Sequence, residues 1–253
     1  MVKRFWLWGG SLFAFVFLAY SVLQCVNALA SRTTTEDRTF PVDGITTIDI
    51  QTGDGAVQVL GDADDEITVH STIHSGLVET RHTVELVDGT LRIRSSCPAW
   101  SSNCRADDVV HVPRSVAIRA TSGDGHMTIT GVDGDVFVRT SDGGVDLDDL
   151  AGDIDAASGD GAVHGVDLRA DHATIHTADG ALELAFVESP DELVATSGDG
   201  HLDITLPDDG SAYRTDVHTG DGAQDVDIRT DPHARRSITA HTADGALHLH
   251  YPD

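Results

Sequence analysis

A tetrapeptide turn recurs along this chain at nearly constant spacing. SGDG stands at Ser122–Gly125, Ser158–Gly161 and Ser197–Gly200. Close relatives stand at Thr52–Gly55, Thr140–Gly143, Thr177–Gly180, Thr219–Gly222 and Thr242–Gly245. The last glycines are Gly55, Gly125, Gly143, Gly161, Gly180, Gly200, Gly222 and Gly245; from Gly125 on they fall 18 to 23 residues apart. A fixed period near 20 is the mark of stacked repeats. Midway turns at Gly134 and Gly152 divide the early repeats, so each repeat holds two turns and two strands. The second and fourth residues past each glycine are apolar: Val57 and Val59, Met127 and Ile129, Val145 and Leu147, Leu182 and Leu184, Leu202 and Ile204, Leu247 and Leu249. That alternation puts one strand face inward and one outward. Gln224 and Val226 match less well, and the phase slips after Gly161, which suggests a bulge near Gly165.

The spacing predicts an all-β protein, a β-solenoid or β-roll of coils of about 20 residues with two strands each. Asp-Gly is a tight-turn pair because Asp tolerates, and Gly freely adopts, left-handed backbone. SGDG is therefore read as a slim corner. The longer and more variable connections (LAG, LRAD, VESPDE, PDDGSA, RTDPHARR) fall on the opposite edge, where binding is expected. Residues 40–253 read as one body, with strands also at 46–50, 56–60, 66–73, 83–87, 90–95, 109–112 and 116–121. The hairpin LVDGTLRIR and the Cys97–Cys104 loop are expected to cap the stack.

Residues 1–30 start with Lys3 and Arg4 and continue in an uncharged stretch, Phe5 to Leu23. As a helix it is ~28 Å long, near the thickness of a bilayer core. It reads as an anchor with the rest of the chain outside the cytoplasm, or as a signal cleaved near Ala30 after Ala28-Leu29-Ala30. Residues 31–39 form a polar stem. In an exported chain Cys97 and Cys104 most simply form a disulfide; a two-cysteine metal site is the alternative.

The formal charge is −26, and 35 of the 42 acids are Asp. An acidic surface repels phosphate and no basic stripe is written in the sequence, which argues against nucleic-acid binding. Outward residues three past the turn glycines form a row: Thr128, Asp146, His164, Glu183, Asp203, Asp225, His248. Such a row stays solvated, alternates with histidine, or holds cations. Asp146, Glu183, Asp203 and Asp225 are thus candidate ligands of a calcium ladder, set against a plain acidic face; no other cofactor is expected. Neither the fourteen histidines nor any serine stands in a zinc or hydrolase motif, so catalytic residues are expected to be none.

The series TSGDGHMTI, TSDGGVDL, ASGDGAVHG, TADGALEL, TSGDGHLDI, TGDGAQDV and TADGALHL resembles the bacterial surface-domain family labelled "putative adhesin". The resemblance covers about residues 40–251. It implies a β-solenoid or roll at the cell surface and little chemistry. The leading reading is a non-enzymatic, adhesin-like or scaffold module presented to an envelope or extracellular partner. A sensor or accessory role in envelope-stress signalling is the second reading. A calcium-binding β-roll and a glycan-active enzyme complete the set.

Overall fold

The computed structural model describes residues 17, 20, 31–76, 78–98 and 104–252. The expected N-terminal anchor or signal therefore falls almost wholly outside the described residues. Among the described residues no helix is long and apolar enough to cross a membrane.

From residue 31 on, the regular elements are all strands, in two sheets. The first, sheet A, has eleven strands. Their spatial order is β1 (Arg32–Pro41), β4 (Glu66–Ser75), β7 (Arg105–His111), β3 (Val57–Leu60), β9 (Met127–Thr130), β11 (Val145–Asp148), β13 (Val163–Leu168), β15 (Leu182–Phe186), β17 (Leu202–Thr205), β21 (Leu247–His250) and β19 (Gln224–Asp227). Sheet B has ten: β5 (Arg81–Val87), β6 (Thr90–Ser96), β2 (Thr47–Gln51), β8 (Ala117–Ser122), β10 (Val136–Thr140), β12 (Ile154–Ser158), β14 (His172–Thr177), β16 (Glu192–Ser197), β20 (Arg236–Thr242) and β18 (Tyr213–Thr219). Each SGDG-type turn carries the chain from sheet B to sheet A, and each variable connection carries it back. The result is a β-solenoid of parallel strands, closed by antiparallel strands at one end.

The inner faces form one continuous core. Sheet A supplies larger side chains in rows, such as Leu182, Leu202 and Leu247, each in register with the next. One row of sheet B answers with smaller ones, Ala120, Ala156, Ala195 and Ala240, broken by Val138 and Ile175, all buried. Large against small lets the two faces interdigitate. Burying each leucine contributes about 1.5–3 kcal/mol.

The corners explain why the tetrapeptide is repeated, and the reason differs from the one expected. None of the eight terminal turn glycines has positive φ; the positive-φ glycines are Gly44, Gly89, Gly131 and Gly210. What these positions exclude is a side chain. A Cβ on Gly161 would stand 2.1 Å from the carbonyl oxygen of Gly143, one on Gly180 2.1 Å from that of Gly161, and one on Gly200 1.8 Å from that of Gly180. Each corner is threaded onto the next at backbone contact. The first residue of the motif closes it. The hydroxyl of Ser158 accepts the Gly161 N–H at 2.9 Å and donates to the Gly143 carbonyl at 2.9 Å. Thr177 and Ser197 repeat the pattern toward Gly161 and Gly180. The expected left-handed Asp-Gly pair does occur once, at Asp88-Gly89 (φ 49° and 75°), in the β5–β6 hairpin.

The bulge stands where the phase slips: the β13–β15 register shifts between Gly165 and Leu168, with Asp167 at φ 53°. A Cβ on Gly165 would meet Leu168 Cδ1 at 2.7 Å, so Leu168 fills the glycine's place in the core.

Both ends depart from simple sequential stacking. The last strands, β20 and β21, insert between β16–β17 and β18–β19. The polar pair therefore takes the outer position: Gln224 stands where other coils carry leucine, and β19 is largely exposed. Ile238, Ala240, Leu247 and Leu249 would lose their cover there, so burial decides the order. At the other end Cys97 and Cys104 are disulfide-bonded and stand at the corner between β6 and β7, in place of an SGDG turn. The expected polar stem is most of β1, an exposed edge strand paired antiparallel with β4.

Two substitutions test the corner. Gly180→Ala forces an alanine methyl against the Gly161 carbonyl and should destabilise by about 2–4 kcal/mol. Thr177→Val keeps the shape, strands the buried Gly180 N–H, and should cost about 1–3 kcal/mol. Urea unfolding of the full chain measures both; a change under half a kcal/mol in either would overturn this account of the corner.

Candidate functional site

The outward positions of sheet A form the row anticipated from the sequence, with one change of order. In space it runs Gln58, Thr128, Asp146, His164, Glu183, Asp203, His248, Asp225. Because β21 inserts, His248 separates Asp203 from Asp225. Of the four candidate calcium ligands, only Glu183 and Asp203 are direct neighbours.

Histidines occupy three of these four carboxylates. His126 Nε2 lies 2.7 Å from Asp146, His164 Nδ1 3.1 Å and His201 Nε2 3.3 Å from Glu183, and His250 Nε2 2.9 Å from Asp203. Calcium wants ~6–8 oxygen ligands around one point. A row in which only two carboxylates, Glu183 and Asp203, are adjacent and each faces an imidazole does not converge that way. Among the described residues no group of three or more His, Cys, Asp or Glu side chains is arranged to hold a metal ion. His241 lies on sheet B, away from this row, beside Asp216 at 3.4 Å.

The pairing is general. Among the described residues ten of the fourteen histidines have a carboxylate within ion-pair reach. In a chain with one lysine, histidine is a main side-chain partner of the acids. This pattern escaped sequence reasoning because the partners sit on different strands, four pairs 18 to 20 residues apart, as with His126–Asp146 and His201–Glu183, and the other six farther still.

Three further electrostatic features frame the site. The turn aspartates Asp54, Asp124, Asp142, Asp160, Asp179, Asp199, Asp244 and Asp221 are all exposed and form a column down the corner edge. On the opposite edge Arg114 bridges Asp133 at 2.9 Å and Asp149 at 3.0 Å, and Arg169 meets Asp149 at 2.5 Å. Hydrogen bonds from Arg114 hold Asp133, and from Arg169 and Arg114 hold Asp149, below the usual carboxylate range. Inside the capped end, Asp108 accepts from Ser71 at 2.6 Å and faces His82 at 3.7 Å. Burial outweighs both and pushes Asp108 upward.

These shifts fix the sign of a pH response. A hydrogen bond to Asp153 raises His172 above 6.5. Its stabilisation is full below about 6.5 and is lost as pH rises through the raised value. Asp108, also raised, works in the same direction: the folded state holds that proton more tightly, so stability falls as pH climbs through its folded value. Asp133 and Asp149 work oppositely; their contribution is present above about 3.8 and is lost as pH falls through their lowered values. The melting temperature should therefore peak in mildly acidic buffer and decline toward pH 8, and His172→Gln should shallow that decline. A flat profile between pH 5.5 and 8 would contradict it.

No curated protein sequence matches the chain. Among solved structures, it is similar to a "putative adhesin" from Parabacteroides distasonis, at 10% identity over 85% of this chain and 97% of that one, TM-score 0.48. It is also similar to a "putative cell adhesion protein" from Clostridium sporogenes (10% identity, 87% and 100% of the two chains, TM-score 0.38). A third is a "putative lipid binding protein" from Parabacteroides distasonis (11%, 85% and 97%, TM-score 0.42). At that identity and TM-score none of them bears on function. The family model described as Toastrack DUF4097 matches residues 114–250, which holds the regular coils from the end of the cap to the final strand, and the chain belongs to that family.

Proposed function

We propose that the chain is a non-enzymatic surface module, exported on its N-terminal segment, which presents flat solenoid faces to an envelope or extracellular partner. The observation that carries this reading is the pair of long sheets whose outward side chains stand in register across coil after coil. Such faces are rigid because every coil is tied to its neighbours through the corners, and they offer extended arrays rather than an enclosed pocket. A structural disulfide at the capped end suits an oxidising compartment outside the cytoplasm. No metal is assigned to its folding, since Asp146, Glu183 and Asp203 of the sheet A row are engaged by histidines and Asp225 lies beyond His248 at the row's end.

A second reading, a sensor or accessory protein in envelope-stress signalling, is favoured by the histidine–carboxylate strip. Fourteen histidine protons would take the formal charge from −26 to −12, which would change the field at the face.

Two measurements test the first reading. Protease added to intact cells should cleave the domain, and Cys97 and Cys104 should resist thiol alkylation until reduced. A protected domain with free thiols would overturn export. Raising salt should stabilise the chain by screening the aspartate column, equally for calcium and magnesium chloride at matched ionic strength. A calcium-specific rise in melting temperature would instead restore the β-roll reading.

A further inference from the structure

The acidic composition conceals a local exception on sheet B. The outward positions of β6, β2, β8 and β10 bring together residues from four separate stretches of chain. One row reads Arg92, Asp49, Arg119, Phe137, and the next reads Arg94, Gln51, Thr121, Arg139. Sheet A has nothing like it: from β9 onward its strands contain no arginine.

Two of these arginines are uncommitted. Arg139 is held by Asp155 at 2.6 Å and by the carbonyls of Val138 and Asp155. Arg94 reaches Asp49 only at 3.9 Å. Arg92 and Arg119 form no ion pair with any described residue, although the chain holds 42 acids. Arg92 Nε is buried with no hydrogen-bond partner. Arg119 rests its guanidinium 4.4 Å from the ring centre of Phe137, with Arg139 at 4.3 Å from the same ring. Stacking on an aromatic face positions a guanidinium while leaving its N–H fork free. Beside Arg119 and Phe137 an open cleft of about 460 Å³ continues along the sheet past Asp135 and Asp153.

We propose that this arginine–phenylalanine patch binds a carboxylated glycan chain, with Arg92 and Arg119 taking uronate carboxylates. The assignment rests on the domain lying outside the cytoplasm. A planar guanidinium matches a carboxylate in bidentate geometry. Arg92 and Arg119 lie two strands apart, about 9.6 Å at the usual spacing, a span that a disaccharide covers. Asp135 and Asp153 in the cleft accept hydrogen bonds from sugar hydroxyls. The −26 charge around the patch repels any polyanion, so recognition has to come from the guanidinium forks and from the hydroxyl-accepting aspartates, and a sugar chain brings hydroxyl donors on every unit. A uronic-acid chain carries one carboxylate per sugar between neutral hydroxyls, which fits arginines interleaved with aspartates.

The test is calorimetric titration of the full chain in non-ionic detergent with an oligogalacturonate, in buffer containing chelator. The same oligomer with its carboxylates reduced to alcohols is the control. Saturable binding is expected for the acid form alone, weakening as salt rises, with no new reducing ends. Arg92→Gln and Arg119→Gln should each weaken it about tenfold, while Arg214→Gln, at the far end of the same sheet, should leave it unchanged. Melting curves of all three establish that they fold. The proposal fails if the double variant binds as tightly as the parent, if the reduced oligomer binds equally, or if nothing binds. It fails also if phosphatidylglycerol vesicles bind at this patch and the oligomer does not. A domain accessible to protease on cells that binds no uronate refutes the patch and leaves the surface reading standing. A domain sealed in the cytoplasm refutes the surface reading regardless of the titration.

Discussion

Everything in this molecule hangs on how closely two peptide planes approach at the SGDG corner. With no Cβ at the last position, the carbonyl of one coil sits about 2 Å from where the next coil's side chain would begin. The serine or threonine hydroxyl then joins the two coils through a pair of hydrogen bonds. Repeating that contact fixes the rise per coil. It thereby sets the register of every strand pair in both sheets and the alignment of every outward row. Strand pairing and core burial supply most of the stability, but the corner determines that coils stack without offset.

Regular stacking places chemistry that no single coil contains. Histidines meet carboxylates from neighbouring coils because equal coil lengths bring residues about 20 apart side by side. The same geometry lines up eight turn aspartates on one edge and a staple of Arg114, Asp133, Asp149 and Arg169 on the other. It also brings four arginines together on β6, β8 and β10 of sheet B, two of them, Arg92 and Arg119, without an acidic partner among the described residues. An overall acidic protein thus has faces of different character: acid and histidine on sheet A, arginine and phenylalanine on part of sheet B.

Much of this was legible beforehand. Period-two apolar patterning located the strands because one face of each sheet is buried and the other solvated. The bulge at Gly165 showed as a slip of phase, since one extra residue inverts which side chains point inward. Gln224, where other coils carry an apolar residue, showed as a weaker match to the repeat. What it could not convey was that β20–β21 would displace that coil to the end, because the choice compares the burial of two coils at one position.

The repeat spacing alone determined an all-β stack of two-strand coils with slim corners, because alternation and a fixed period are local properties of the chain. The reason for the glycines, the order of the final coils, the pairing of the histidines and the arginine patch were decided only in three dimensions. Each depends on contacts between residues that are distant in sequence, and the distance of closest approach between two backbones is not written in either one.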